Sequence, residues 1–389
     1  MTGPLRIGFI PLVDAATLII AVEKGFAAAE GLEVELVREV SWSNVRDKLN
    51  IGLFDAAHLL APVAIASSLG LGHVKVPIAA PFNLGINGNA ITVSPTLHAA
   101  LLDELDGDRF DPMATAKALS RVVANRRKVG AEPLTIGMTF PFSTHNYQLR
   151  FWMAAAGVDP DEDVRLVVLP PPYMVDSLAN GQVDAFCVGA PWNSVAVDLG
   201  IGHILHFASD ILVRAAEKVL AVRQVWADGH PDTVASLVRA AGKAAAFIGQ
   251  PENRDETARI LAQPEHVGID AEVIRRALDG RLKISPDGTM RESGRYLLLG
   301  REGAERPDPV QAAWLYAQMA RWGQTSLSEA GLNTAMAVFR PDLYDAALGG
   351  AGAAQVAASG SVGAFAGVAF DPRDVAGYLG SFEVARRVR

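Results

Sequence analysis

Gly52-Leu53-Phe54-Asp55-Ala56 and Gly181-Gln182-Val183-Asp184-Ala185 are one pattern, Gly-x-x-Asp-Ala, written twice at a separation of 129 residues. The same separation relates Ile7-Gly8 to Ile136-Gly137, and Pro62 to Pro191. Fixed points that keep a single spacing mark two copies of one supersecondary unit. Each copy reads as a strand, a turn, a long amphipathic stretch, a second strand, a helix, and a short buried strand beginning at the aspartate. That alternation predicts two similar α/β lobes in one chain. Lobes that face each other enclose a cleft, and such clefts are where small ligands bind.

Working outward, the first copy predicts a strand from Leu5 to Pro11, a helix over 15–29 and a strand over 32–37. Trp42-Ser43-Asn44 reads as a loop, with a short helix from Val45 to Asn50. The buried strand runs over 55–60 and is followed by a helix over 62–68. Strands at 79–82 and 90–93 are separated by Asn87-Gly88-Asn89. The second copy runs from Leu134, with Ser143 or Thr144 capping a helix that ends at Ala156. Residues 95–133, helix-rich and polar, depart from the repeat. The strands Ala90–Val93 and Lys218–Val222 flank the second copy and read as hinge strands. The expected division is 1–93 plus 219–348 for lobe 1 and 94–218 for lobe 2. Residues 349–369, rich in Gly, Ala and Ser, read as a flexible linker, and 370–389 as a terminal segment that docks back on the body.

The 389 residues suffice for two or three domains, half of them hydrophobic and a fifth charged. A net charge of −8 argues against broad nucleic-acid binding, so no direct nucleic-acid partner is expected. No apolar run is long enough to span a bilayer. Cys187 is the single cysteine, so no intramolecular disulfide can form. Met1-Thr2-Gly3-Pro4 leads straight into the first strand without a basic region, an apolar leader core or a cleavage site, which gives a cytoplasmic expectation.

Several residues are candidates for the cleft, each with a plainer alternative. Lys218 supplies a compact positive charge beside the cleft, or is a solvated strand-end lysine paired with Glu217. His145 sits at a helix N-terminus, where it donates to an anion or makes a local capping bond. Trp42 and Pro171 hold equivalent places in the two copies. The Trp42 ring covers one face of a planar ligand, or simply packs in the core. Asn87-Gly88-Asn89 is a hairpin turn, or it offers the Asn89 amide to an oxyanion with Gly88 allowing close backbone approach. His58 and Cys187 read as core residues. There is no metal-ligand cluster, no phosphate-binding glycine loop and no nucleophile–base pair, so neither a cofactor nor an enzymatic activity is expected.

Val40-Ser-Trp-Ser-Asn-Val-Arg-Asp-Lys-Leu49, Asn87-Gly-Asn-Ala-Ile-Thr-Val93, Thr139-Phe-Pro-x-x-Thr-His145, Pro170-Pro-Pro-Tyr-Met174 and Asp184-Ala-Phe-Cys-Val-Gly-x-Pro-Trp192 resemble the nitrate- and bicarbonate-binding proteins of bacterial ABC transporters. The resemblance extends over most of the chain. It implies an α/β, two-lobe type II periplasmic-binding-protein fold with an inter-lobe ligand cleft. It also implies a nitrate site built from a tryptophan, an amide, a histidine and a lysine, matched here by Trp42, Asn89, His145 and Lys218. Transporter members more often carry glutamine at the amide position, and the shorter Asn89 reaches less far. Together with the cytoplasmic expectation, the resemblance points to the NasS-type nitrate/nitrite sensors. Those control release of an ANTAR-domain, RNA-binding antiterminator (NasT-like). The alternative is the substrate-binding component of a nitrate or bicarbonate transporter. A thiamine-pyrimidine synthase on the same fold would need a cysteine-rich iron motif that a single cysteine cannot supply.

Overall fold

The computed structural model describes residues 3–349 and 362–386. Its strands are β1 (Leu5–Phe9), β2 (Val34–Arg38), β3 (Ala56–Leu60), β4 (Ile78–Asn87), β5 (Asn89–Val93), β6 (Thr135–Met138) and β7 (Arg165–Val168). They continue with β8 (Ala185–Gly189), β9 (His203–Phe207), β10 (Ala216–Arg223), β11 (Arg281–Lys283), β12 (Met290–Glu292) and β13 (Leu297–Leu298). One sheet has the order β13-β4-β10-β3-β1-β2 and a second β7-β6-β8-β5-β9, while β11 and β12 pair as a separate ribbon. Helices cover the sheets, so the central strands β3 and β8 are buried along their whole length.

The repeated residues do the same structural work in each lobe. Gly52 and Gly181 have φ of 81° and 66°, a left-handed conformation that stops the helices Trp42–Asn50 and Met174–Ala179. Asp55 Oδ2 then accepts from the Arg6 N–H at 2.9 Å, and Asp184 Oδ2 from the Thr135 N–H at 2.8 Å. Each aspartate thus ties the returning chain to its first strand, and the parallel registers Ile7–Ala56 and Ile136–Ala185 follow. Gly8 is required by close packing, since a Cβ there would lie 2.3 Å from Phe54 Cε2.

The chain crosses between sheets at Asn87 (φ 62°) and Gly88 (φ 96°). The Asn87 side chain donates to Val213 O and Arg295 O and accepts from the Ala215 N–H, joining the outgoing and returning chains. Because β5 pairs with β8 and β9, Ala90–Val93 belongs wholly to the sheet of lobe 2. β10 pairs with β3 and β4, so Lys218–Val222 belongs wholly to lobe 1. The crossings therefore lie at Gly88 and between β9 and β10, not after Val93 and at Lys218 as the sequence suggested. Apolar alternation marks a strand but not the sheet it joins.

Two helical expectations also change. The stretch 15–29 is a 3-10 turn (Val13–Ala15) followed by helices Ala16–Glu23 and Phe26–Ala29, broken where Gly25 takes φ 72°. Trp42 is not in a loop. Ser41 Oγ accepts from the Asn44 N–H and starts the helix one residue before the tryptophan.

Of the expected linker, residues 350–361 lie outside the described residues, as do 387–389 of the terminal segment. Residues 362–386 touch both lobes. Trp314 Nε1, in the lobe 1 helix Pro309–Arg321, donates to Tyr378 Oη at 3.0 Å, and Arg386 pairs with Asp159 and Asp161 of lobe 2. Among the described residues no helix is long and apolar enough to cross a membrane.

Candidate functional site

The facing ends of the two lobes deliver their polar side chains to one place. Lobe 1 contributes Asp14 from the turn after β1, Trp42 from the first position of its helix, His58 from β3, and Glu217 and Lys218 from β10. Lobe 2 contributes Asn89 from the start of β5, with His145 and Gln148 from successive turns of the helix Thr144–Ala154. Ser143 caps that helix, its Oγ accepting from the Asn146 N–H at 3.1 Å. Ser143 and Asp14 are themselves equivalent positions of the repeat. All of these side chains are buried.

Adjacent residues of a strand normally point to opposite faces, yet Glu217 and Lys218 enter the same cleft. The ladder explains this. Ala216 faces Ile86 and Lys218 faces Gly85, so Glu217 is an extra residue in β10 and the register shifts around it. Such a bulge re-aims a side chain. Gly85 opposite has no side chain, and a Cβ there would come within 3.2 Å of Asp14 Cβ.

Lys218 Nζ stands 2.9 Å from both Asp14 Oδ2 and Glu217 Oε1 and 5.4 Å from the centre of the Trp42 ring. His58 Nδ1 accepts from the Ile10 N–H, so its proton is on Nε2, which faces Asp14 Oδ1 at 3.0 Å. The Trp42 and His58 rings lie 5.3 Å apart. Glu217 Oε2 accepts from Asn89 Nδ2 at 2.7 Å, and Glu217 Oε1 is 3.3 Å from His145 Nδ1. Asn89 Nδ2 also donates to Gln148 Oε1 at 3.0 Å.

One ammonium thus faces two carboxylates, and their environments separate them. Burial opposes the charge on Asp14, but Lys218 and the nearby His58 outweigh it and hold the carboxyl well below its ordinary range. Burial dominates at Glu217 and pushes its carboxyl up. Burial also works against the Lys218 charge, yet the two carboxylates more than compensate and raise its pKa. Burial, reinforced by Lys218, drives His145 well below its ordinary value and keeps it neutral. Trp42 Nε1, His145 Nε2 and Gln148 Nε2 are buried without a hydrogen-bond partner among the described residues. Unpaired buried nitrogen atoms are costly, and an entering acceptor would satisfy those that carry a proton. Among the described residues no group of three or more His, Cys, Asp or Glu is arranged to hold a metal ion.

Trp42, Asn89, His145 and Lys218 therefore meet in one cluster. Lys218 does pair with Glu217, the plainer alternative, but in a buried cleft rather than in solvent. Asn89 opens a strand rather than a hairpin turn. Gly88 spends its backbone groups on Tyr296 O and the Ala190 N–H, and its glycine requirement comes from Leu297, whose Cδ1 would lie 2.8 Å from a Cβ. Pro171 opens a 3-10 turn in lobe 2 and is buried. Sequence reasoning passed over Asp14, Glu217 and Gln148 as site residues and placed His58 in the core. Asp14 could have been found as the equivalent of the capping position Ser143. The bulge that brings Glu217 inward leaves no mark in the sequence.

A model of the NMT1-like family matches residues 2–262. The chain is 32% identical to the nitrate/nitrite binding protein NrtA of Synechococcus elongatus over 96% of its own length and 85% of that protein's. It is 34% identical to the nitrate import ATP-binding protein NrtC of Synechocystis sp., covering 99% of this chain but only 56% of that longer protein. The crystal structure of the periplasmic nitrate-binding protein NrtA from Synechocystis superposes with a TM-score of 0.89 at 27% identity, covering 98% of both chains. The ligand-binding component of an ABC-type import system from Staphylococcus aureus shares the fold, with a TM-score of 0.66 at 18% identity over 89% of this chain and 99% of that one. The architecture is the two-lobe periplasmic-binding-protein fold.

Proposed function

The chain belongs to the NMT1-like family, among the relatives of the nitrate/nitrite binding protein NrtA, and from that premise we propose that its cleft binds nitrate for an ABC transporter. It is a binding protein and not an enzyme. The observation that carries the reading is the convergence of Lys218 and Trp42 from one lobe with Asn89 and His145 from the other, all buried. Nitrate is planar, singly charged and weakly hydrated. Lys218 supplies counter-charge, and Asn89 and the unpartnered ring nitrogen atoms of Trp42 and His145 donate in the anion's plane. Charge-assisted bonds in a dry cleft are stronger than the same bonds in water. Isothermal titration with nitrate, nitrite and bicarbonate tests the reading, and heats of dilution alone for all three refute it. The transport role predicts that deleting the gene abolishes growth on limiting nitrate.

The second reading is the cytoplasmic nitrate/nitrite sensor that sequesters an ANTAR-domain antiterminator. Residues 362–386 lean on both lobes, so a change in lobe arrangement would alter a surface that a partner can read. Reversing such a partner equilibrium fully needs about 5.5 kcal/mol of differential affinity. A co-expressed complex that persists in size-exclusion chromatography at saturating nitrate and nitrite refutes the sensor.

A further inference from the structure

We propose that Glu217 sets the affinity of the cleft, its carboxylate acting as a tethered occupant of the anion's donors that must take up one proton when the anion enters. The inference rests on the anion-binding reading above. A carboxylate, like nitrate, is flat and singly charged and accepts hydrogen bonds in its plane. Glu217 places its two oxygens on three of the proposed nitrate ligands. Oε1 contacts Lys218 Nζ and His145 Nδ1, and Oε2 accepts from Asn89 Nδ2. The bulge in β10 exists at this residue and turns it into the cleft.

Charge counting gives the second line of argument. An anion added to Asp14, Glu217 and Lys218 surrounds one buried positive charge with three negative ones, and unpaired buried charge is strongly disfavoured. Neutralising one carboxylate relieves this. Each neighbour of Glu217 is accounted for. Asp14 is held ionised by Lys218 and His58, which outweigh its burial. His58 and His145 are kept neutral by burial, and the Cys187 thiol of β8 is kept protonated by burial and by Glu217 itself. Asn89, Gln148 and Thr139, whose Oγ1 lies 3.0 Å from His145 Nδ1, do not titrate. Glu217, pushed up by burial, is the group left to accept the proton. With Nδ1 accepting, from Thr139 Oγ1 at 3.0 Å and from a protonated Glu217 Oε1 at 3.3 Å in turn, the His145 hydrogen is placed on Nε2. That nitrogen is unpartnered among the described residues and becomes a donor to the anion.

The test is nitrate calorimetry at pH 6, 7 and 8 in two buffers of different ionisation heat, on wild type and Glu217→Gln. Expected for wild type is uptake of about one proton per nitrate where Glu217 is ionised, with Kd rising about tenfold per pH unit, as one-proton linkage requires. Glu217→Gln is expected to bind nitrate at least tenfold more tightly at pH 8 and to lose the pH slope. Equal or weaker binding by Glu217→Gln at pH 8 overturns the proposal while leaving the anion site standing. So does a slope that persists in Glu217→Gln, which would send the proton to His145. Binding by Glu217→Gln alone supports it. Silence from both proteins overturns the anion site and this inference together. Should Glu217→Gln fail to fold by near-ultraviolet circular dichroism, the wild-type proton count decides, and a count of zero overturns the proposal.

Discussion

Replacing Lys218 by methionine should unfold the protein more readily as well as abolish nitrate binding, and the two losses should differ in their dependence on pH. The ammonium is the only lysine or arginine group in contact with both Asp14 and Glu217 among the described residues. Methionine keeps the apolar stem and removes the charge. Breaking a buried ion pair from one side costs about 3–5 kcal/mol. The least costly relief is protonation. At about 1.4 kcal/mol per pH unit above an ordinary aspartate pKa, neutralising Asp14 at pH 7 costs about 4 kcal/mol. The folded variant then binds a proton that its unfolded chain does not, so its stability rises as pH falls. In wild type the depressed Asp14 carboxyl contributes stability above its unfolded pKa and loses it only in strong acid. Its contribution is flat between pH 5 and 8, while the raised Glu217 carboxyl adds a shallow loss toward high pH. The variant should therefore be about 4 kcal/mol less stable at pH 7 and should recover most of that by pH 5. Urea unfolding followed by circular dichroism at pH 5, 6, 7 and 8 measures the difference. A variant within about 1 kcal/mol of wild type at pH 8, or a deficit that does not shrink in acid, would refute the buried ion-pair reasoning.

Trp42→Phe should weaken nitrate binding about tenfold by removing the unpartnered Nε1 donor, a loss of about 1.4 kcal/mol. Its effect on urea unfolding should stay below that of Trp42→Ala, which empties a core position at about 3–5 kcal/mol. Asp55→Ala and Asp184→Ala each release a backbone N–H of the first strand of a lobe. Each should cost about 1.5–3 kcal/mol in chemical denaturation, and equal losses are expected because the two bonds are equivalent. Gly88→Ala combines φ 96° with a 2.8 Å approach to Leu297. It should destabilise by about 1–3 kcal/mol, read as a lower urea midpoint.

The repeat was legible because its markers do one fixed job in each lobe. A glycine stops a helix and an aspartate binds an N–H of its lobe's first strand, and both lobes carry the pair at the same spacing. Trp42, His145 and Lys218 were legible through their surrounding motifs. What stayed hidden depends on registers between distant strands. The crossing at Gly88 is fixed by pairing of β5 with β8 and β9, and the inward turn of Glu217 by its mismatch with β4. Asp14 lies in a stretch whose apolar run reads as the start of one long helix, and only Gly25 in a left-handed conformation divides it.

The position of lobe 2 within the chain constrains the order of events as the polypeptide leaves the ribosome. Its first and last strands, β5 and β9, are neighbours, with Ala90 opposite Phe207. The inserted lobe has all its strands once residue 207 has emerged. Lobe 1 does not, because β10 must slot between β3 and β4, and β13 must add to β4. The nascent first lobe therefore waits, its β3 and β4 edges unpaired, while more than a hundred further residues are made. Exposed strand edges invite intermolecular pairing. A fluorescence-quenching pair placed across β5 and β9 should close on stalled chains shorter than those needed to close a pair across β3 and β10.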